Sequence, residues 1–242
     1  MTGGASLAER LQKIMAQAGL CSRRSAEDLL RQGRVSVNGR PASLGDRADP
    51  TTDRIEVDGR PLPAPDAPIC LMLNKPRGYV TTLSDELGRP TAAQLVADCG
   101  RRVYPVGRLD RDSEGLLLFT NDGDLAQALL HPRHEVDKVY RVWVSGQISG
   151  APERLASVTE LEGEPIRPAR VEEISRDGEG ALLQVTIHQG KNRQIRRMCA
   201  QVGLSVRRLQ RIREGKLALG DLKPGKWRYL TDVEIKLLKG NH

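Results

Sequence analysis

The stretch Gly107-Arg-Leu-Asp-Arg-Asp-Ser-Glu-Gly115 crowds acids and arginines between two glycines, with apolar runs at residues 103–106 and 116–119 on either side. A charged loop between two core strands can hold a carboxylate at the mouth of a cleft, and loops on rigid scaffolds commonly carry catalysis. Arg108 and Arg111 flank Asp110 with positive charge, which suits an ionised carboxylate, the form that nucleophilic attack by aspartate requires. The same side chains could instead pair among themselves and only pin the loop, and composition leaves both readings open. Hydrolysis by two carboxylates, Asp110 and Asp112, is a third chemistry. It needs a general acid kept protonated by an apolar site, and so many nearby arginines argue against it.

A second region bears chemistry of another kind. Of the chain's net charge of +7, the segment 191–216 alone carries +8: nine Lys or Arg residues against Glu214, leaving the remainder near neutral. Charge focused in this way attracts a polyanion and makes binding salt-dependent; a solvated helix face is the plain alternative. Cys21, Cys70, Cys99 and Cys199 lie far apart and form no C-x-x-C pair. Neither a zinc site nor a disulfide framework is expected from them. No run of about 18 apolar residues is present to span a membrane, and residues 1–13 lack a secretory signal core. A cytoplasmic location is expected.

These residues need a scaffold. Pro61-Leu-Pro-Ala-Pro-Asp-Ala-Pro68 places four prolines in eight residues, an extended segment poorly able to join either neighbour's core. The predicted organisation is a module at 1–62, a Pro-rich linker at 63–68 and a larger domain at 69–242. In the module, Leu7, Leu11, Ile14, Met15 and Ala18 recur at helical spacing before Gly19. A second helix is predicted to start at Ser25 as its cap and to stop at Gly33. Strands are predicted at 34–37 and 55–57, closed by the turn pairs Asn38-Gly39 and Asp58-Gly59. In the larger domain, strands are expected at 69–73, 103–106, 116–119, 139–144 and 181–187. Helices are expected from Asp122 to just before His131-Pro132, across 192–202, and after a Thr231/Glu234 capping box. Strands dominate and helices are irregularly interspersed, so the fold class is α+β with a mixed, mainly antiparallel sheet.

Gly107-Arg-Leu-Asp110 followed by Asp112-Ser-Glu-Gly-Leu-Leu-Leu resembles the catalytic-aspartate motif of the RsuA/RluB/RluE/RluF family of pseudouridine synthases. Three further stretches resemble that family's motifs in the same order: Leu73-Asn-Lys-Pro-Arg-Gly78, Lys138-Val-Tyr140, and Gly190-Lys-Asn-Arg-Gln-Ile-Arg-Arg-Met198. Residues 11–59, with Cys21-Ser-Arg-Arg24 and Gly33-Arg-Val-Ser-Val-Asn-Gly39, resemble the small S4 RNA-binding domain, of αL type. The resemblance implies conversion of a uridine in ribosomal RNA to pseudouridine, without metal or other cofactor, because no redox change or activated leaving group is involved.

By that resemblance Asp110 is the essential acid, as base or nucleophile; attack at C1′, attack at C6 and removal of the C2′ proton stay open. Tyr140 is implied to stack on the target base and to assist proton removal at C5. A core tyrosine sharing a strand face with Val142 and Val144 is the plainer reading, and the two are compatible. Arg196 is implied to pair with the catalytic carboxylate, while Arg193 and Arg197 meet phosphates. Lys75, Arg108 and Lys191 are further candidates for RNA contacts, as are Arg23 and Arg24 in the module, where phosphate contacts position without specifying sequence. The target must leave its stack, which is cheapest where pairing is already weak. A monomer acting on ribosomal RNA or a ribosome-assembly intermediate is expected. The RNA is 23S rather than 16S, since residues 189–199 look closer to the RluB and RluF branches. The competing class is a non-catalytic RNA-binding ribosome-assembly protein, which shares the basic patches but does not need Asp110 and Tyr140 in their motifs.

Overall fold

Leu71 and Leu73 bury on one face of a strand while Cys70 and Met72 bury on the other, and this alternation sets the layering of the larger unit. The structure, a computed structural model, describes residues 8–130 and 136–239. It divides into two compact units, Met1–Pro68 and Ile69–His242.

In the first unit, helices Leu11–Gln17 and Arg23–Arg31 pack over a sheet of strand order Arg40–Pro41, Val35–Val37, Ile55–Val57, Arg60–Pro61. Leu11, Met15, Ala26, Leu30, Val35 and Ile55 form its core. Asn38 and Gly39, and likewise Asp58 and Gly59, take left-handed backbone, the requirement of a two-residue hairpin turn. The second helix begins earlier than its sequence suggests. Ser22 is the cap, its Oγ accepting from the Ser25 amide at 3.0 Å, and Ser25 sits inside the first turn. Both serines can cap by chemistry; the extended backbone of Ser22 decides between them. Leu7 lies outside the described residues.

The second unit is built on a nine-stranded sheet. Its main path runs Arg170–Arg176, Ala181–Ile187, Lys138–Gly146, Leu204–Glu214, Glu114–Thr120, Cys70–Lys75, Trp227–Tyr229. Every pairing along it is antiparallel except one: Glu114–Thr120 runs parallel to Leu204–Glu214, in register Gln210 with Glu114 and Arg211 with Gly115. The α+β, mainly antiparallel expectation is borne out. Leu71, Leu73, Leu117 and Phe119 join Val142, Leu183, Val185 and Met198 in one core layer. Cys70, Met72, Leu116 and Leu118 face helices Gly123–Leu130 and Asp232–Lys239 on the other side. Covered on both faces, the two central strands read as continuous apolar runs. Asp122 caps its helix, accepting at Oδ1 from the amides of Asp124 and Leu125 at 3.0 Å each. His131 and Pro132 lie outside the described residues. Thr231 and Glu234 form a reciprocal capping box, each side chain accepting from the other's amide.

Candidate active site

Asp110 lies on the loop between strands Tyr104–Val106 and Glu114–Thr120, and that loop is held mainly through its own backbone. Lys75, at the end of Cys70–Lys75, is fully buried beneath it. Its ammonium donates to the carbonyls of Pro76 (3.1 Å), Asp110 (3.1 Å) and Ser113 (2.8 Å). Burial draws Lys75 down to about 8, against the opposing pull of Asp110, Asp112 and Glu114. Thr81 Oγ1 donates to the Leu109 carbonyl at 2.6 Å and accepts from the Leu109 amide at 3.2 Å. The Gly78 amide donates to the Arg111 carbonyl at 2.7 Å. The first resemblance motif is therefore the bed of the aspartate loop. Lys75, expected on RNA phosphates, spends its donors in the interior instead, because the ends of two loops aim three carbonyls at it.

Gly115 fixes the far end of the loop. Its φ is +105°, and a Cβ there would lie 2.2 Å from the Arg211 carbonyl oxygen, so no other residue fits beside the parallel rung. Arg211 is itself buried. Its Nε donates to the Leu116 carbonyl at 2.7 Å, and Nη2 lies 3.5 Å from Glu214 Oε2.

The carboxylates meet arginines from the entry to helix Gln194–Gln201. Arg193, with left-handed backbone at φ 48°, places Nη1 3.2 Å from Asp112 Oδ1, Nη2 3.1 Å from Asp112 Oδ2 and Nη1 3.5 Å from Asp110 Oδ2. Arg196 Nη2 donates to the Asp112 carbonyl at 3.0 Å and lies 3.3 Å from Asp112 Oδ2. Both arginines converge on Asp112, and only Arg193 also reaches Asp110. Arg193, expected on phosphate, lies against Asp110, and Arg196, expected on Asp110, holds Asp112. Arg193 occupies the helix cap and overhangs the loop, whereas Arg196 starts almost a turn further in. Arg108 and Arg111 do not pair with Asp110; Arg111 donates from Nε to the Gly78 carbonyl at 3.2 Å. Burial alone would raise Asp112, but hydrogen bonds from Arg193 and the charge of Arg196 outweigh it and hold the group below the ordinary carboxylate range.

Tyr140 stands on Lys138–Gly146, paired across the ladder with Val185 on one side and Arg211 on the other. It belongs to the core layer of Val142 and Val144 and is 7% exposed, with its ring reaching the cavity beside Asp110. Burial raises its pKa, and the facing Arg211 guanidinium offsets only part of the rise. The hydroxyl is therefore neutral at neutral pH.

Two hollows meet at Asp110. A cavity of about 270 Å³ is bounded by Tyr140, Ile187, Asn192, Ile195 and Leu209. An open groove of about 1240 Å³ runs past Arg77, Thr81, Arg111, Arg196 and Arg207. Arg108, Leu109, Asp110 and Arg193 line both. Arg108 is exposed and has no ion-pair partner among the described residues. Lys191 and Arg197 are less available than expected: Lys191 Nζ lies 2.8 Å from Glu164 Oε2, and Arg197 Nη2 2.7 Å from Glu162 Oε2. In the first unit, Arg23 and Arg24 are exposed in the first turn of their helix, where the helix dipole disfavours cations. The Arg211–Glu214 pair and the interior role of Lys75 were not foreseen. Burial of a charge on a strand leaves no periodic signal, although Gly115 marked a close backbone approach.

The RNA pseudouridylate synthase family model matches residues 69–201, and the S4 domain model matches residues 9–61. An uncharacterized RNA pseudouridine synthase of Aquifex aeolicus is 41% identical over 95% of this chain and 93% of its own. Ribosomal large subunit pseudouridine synthase B of Bacillus subtilis is 40% identical over 96% of both chains. A crystal structure of a pseudouridylate synthase superposes with a TM-score of 0.66 at 31% identity, covering 95% of this chain and 99% of that one.

Proposed function

The chain belongs to the RNA pseudouridylate synthase family and carries an S4 domain ahead of its catalytic unit, and from that premise we propose that it isomerises a uridine of large-subunit ribosomal RNA with Asp110 as the essential carboxylate. The observation that carries this reading is the position of Asp110 at the junction of a base-sized cavity and an arginine-lined groove. The reaction breaks the N1–C1′ bond, turns the uracil and forms a C5–C1′ bond; the hydrogen lost from C5 is balanced by one gained at N1. Electrons balance without an oxidant or a reductant.

The chain's own residues divide the work. The target base enters the cavity against the Tyr140 ring, and Leu209, Ile187 and Ile195 exclude water around it. Asp110 engages the sugar or the ring. Arg193 aligns the carboxylate and balances its charge, and Asp112, itself clamped by Arg193 and Arg196, fixes that guanidinium in turn. Tyr140, neutral at neutral pH, supplies a stacking face and a hydroxyl dipole rather than a phenolate base. Arg108 and the arginines of the groove meet phosphates, with Arg23 and Arg24 as the corresponding contacts of the S4 domain; such contacts position the RNA. Extruding the uridine costs a few kcal/mol, least in a loop, bulge or junction. The choice of 23S RNA rests on residues 189–199 and is supported by the name of the Bacillus subtilis relative, a ribosomal large subunit pseudouridine synthase. The protein acts in this reading as a monomer in the cytoplasm, where the ribosome or its assembly intermediate is found. Among the described residues no helix is long and apolar enough to cross a membrane.

The test is tritium release from 23S and 16S transcripts labelled at C5 of uridine, comparing wild type with Asp110→Asn. Release by wild type on 23S RNA alone, abolished in the variant while RNA binding persists, is the expected result. Tight binding without release on either RNA, free or ribosome-assembled, would return the chain to the non-catalytic RNA-binding reading.

A further inference from the structure

The groove beside Asp110 has a second wall that the reaction as derived does not use, the loop of residues 80–91. Its neck is closed: the Val80 amide donates to the Pro90 carbonyl at 2.9 Å, the Ala92 amide to the Val80 carbonyl at 2.8 Å, and Val80 bridges Thr91. Its tip is braced by one ion pair. Arg89 Nη2 lies 2.6 Å from Asp85 Oδ1, Nε lies 3.1 Å from both oxygens, and the Arg89 amide donates to Oδ2 at 2.9 Å. Arg89 holds Asp85 at about 2, so the brace stays charged across any working pH.

Among the polar residues this braced loop exposes, Ser84 and Glu86 included, stand two leucines. Leu87 is 75% exposed and Leu83 45% exposed. Leu87 lines the same groove as Asp110, Arg193 and Arg196. A single exposed leucine needs no explanation. A leucine held out by a neck and a braced tip, over the groove that leads to the catalytic carboxylate, is arranged to meet something. The groove fixes the class of partner, because its arginines suit phosphates, and what an apolar tip can add on a nucleic acid is contact with base faces.

We propose that Leu87 is an apolar wedge that packs against the bases flanking the extruded uridine and keeps the emptied stack from closing. The proposal rests on the RNA-modifying reading above. Apolar side chains inserted at base steps lower the cost of unstacking, and an arm already rigid pays little ordering entropy when RNA arrives. Arginine groups steer the strand; the leucine acts on the stack.

The experiment uses the full chain with the C5-tritiated 23S transcript. Single-turnover release is compared for wild type, Leu87→Ser, Leu87→Phe and the control Ile174→Ser, a residue 51% exposed on the edge strand Arg170–Arg176. Leu87→Ser is expected to slow release on the order of tenfold, the scale of one lost base contact. The salt slope of binding should stay unchanged, because phosphate contacts remain. Leu87→Phe should keep the rate, and Ile174→Ser should match wild type. Release by Leu87→Ser at the wild-type rate would overturn the wedge. A second arm does not depend on turnover: p-benzoylphenylalanine placed at position 87 should photo-crosslink to the transcript, and the same group at position 174 should not. Crosslinking no stronger at 87 than at 174 would also overturn the proposal. Absence of tritium release from wild type would sink the substrate reading, while the crosslink still decides whether the loop meets RNA.

Discussion

Two loops face each other across one groove, and they are held by opposite means. Loop 107–115 is anchored from below: a buried ammonium collects three carbonyls, Thr81 grips Leu109 at both main-chain groups, and Gly115 abuts the Arg211 backbone. Loop 80–91 carries its own brace on the surface, in the Asp85–Arg89 pair. The first arrangement is expensive, since a charge kept out of water must be fully satisfied, but it fixes the backbone that bears Asp110. The second costs little and fixes only the tip of its loop, the neck at Thr81 being what grips Leu109. Catalytic geometry needs the former; a contact that seats against a deformable RNA tolerates the latter.

That contrast can be broken from its strongest member downward. Asp110→Asn should lower tritium release on the order of 10³-fold or more while leaving RNA binding intact, as expected of an essential reacting group. Lys75→Met should follow, with roughly a 100-fold loss from displacement of Asp110. Its thermal unfolding should also show a stability loss of about 1–3 kcal/mol from carbonyls left without a donor. Near-normal turnover in Lys75→Met would mean that the loop holds its own shape. Arg193→Lys loses the two-pronged grip on Asp112 and should slow release roughly tenfold, with Arg196→Lys doing less because Arg196 does not reach Asp110; the reverse order would restore the pairing expected from sequence. At the bottom, Arg89→Ala should lower stability by no more than about 1 kcal/mol in thermal unfolding, because the Arg89 half of the pair is exposed to solvent.

The buried ammonium also has a pH signature. Lys75 is lowered to about 8 in the folded protein from 10.5 for the free side chain. Below about pH 8 both states carry the proton, and the folded state bears the full penalty of burying it. Between about 8 and 10.5 the unfolded chain binds more protons than the folded one, so this penalty fades as pH rises. The stability of wild type relative to Lys75→Met should therefore increase across that window. A flat difference in denaturant titrations would show that water reaches the ammonium.

Much of this arrangement was legible in the residues. Strands 55–57 and 181–187 match the structure: the turn pair Asp58-Gly59 closes the first, and Gly180 and Gly190 flank the second. The Asp122 cap and the Thr231/Glu234 box are local hydrogen-bond chemistry and could be read from spacing alone. The aspartate loop announced itself by charge between apolar runs. What could not be read depends on partners distant in the chain. Lys75 looks like any exposed lysine until loop carbonyls from residues 110 and 113 are brought over it. Arg193 and Arg196 are chemically equivalent, and the left-handed backbone of Arg193 that separates them is not written in its side chain. Ser22 and Ser25 pose the same problem on a smaller scale.

The parallel rung at Gly115 bears on how the enzyme comes into being. The Arg211 to Leu116 hydrogen bond that locks the aspartate loop joins residues 95 apart, and such distant closures form slowly. A chain leaving the ribosome from its N-terminus completes the RNA-binding module and most of the sheet before Leu204–Glu214 exists. Until that strand is added, the loop that bears Asp110 lacks the parallel rung at Gly115 and the Arg211 contact to Leu116. The order of synthesis thus leaves the aspartate loop without its final lock until the strand Leu204–Glu214 has been made.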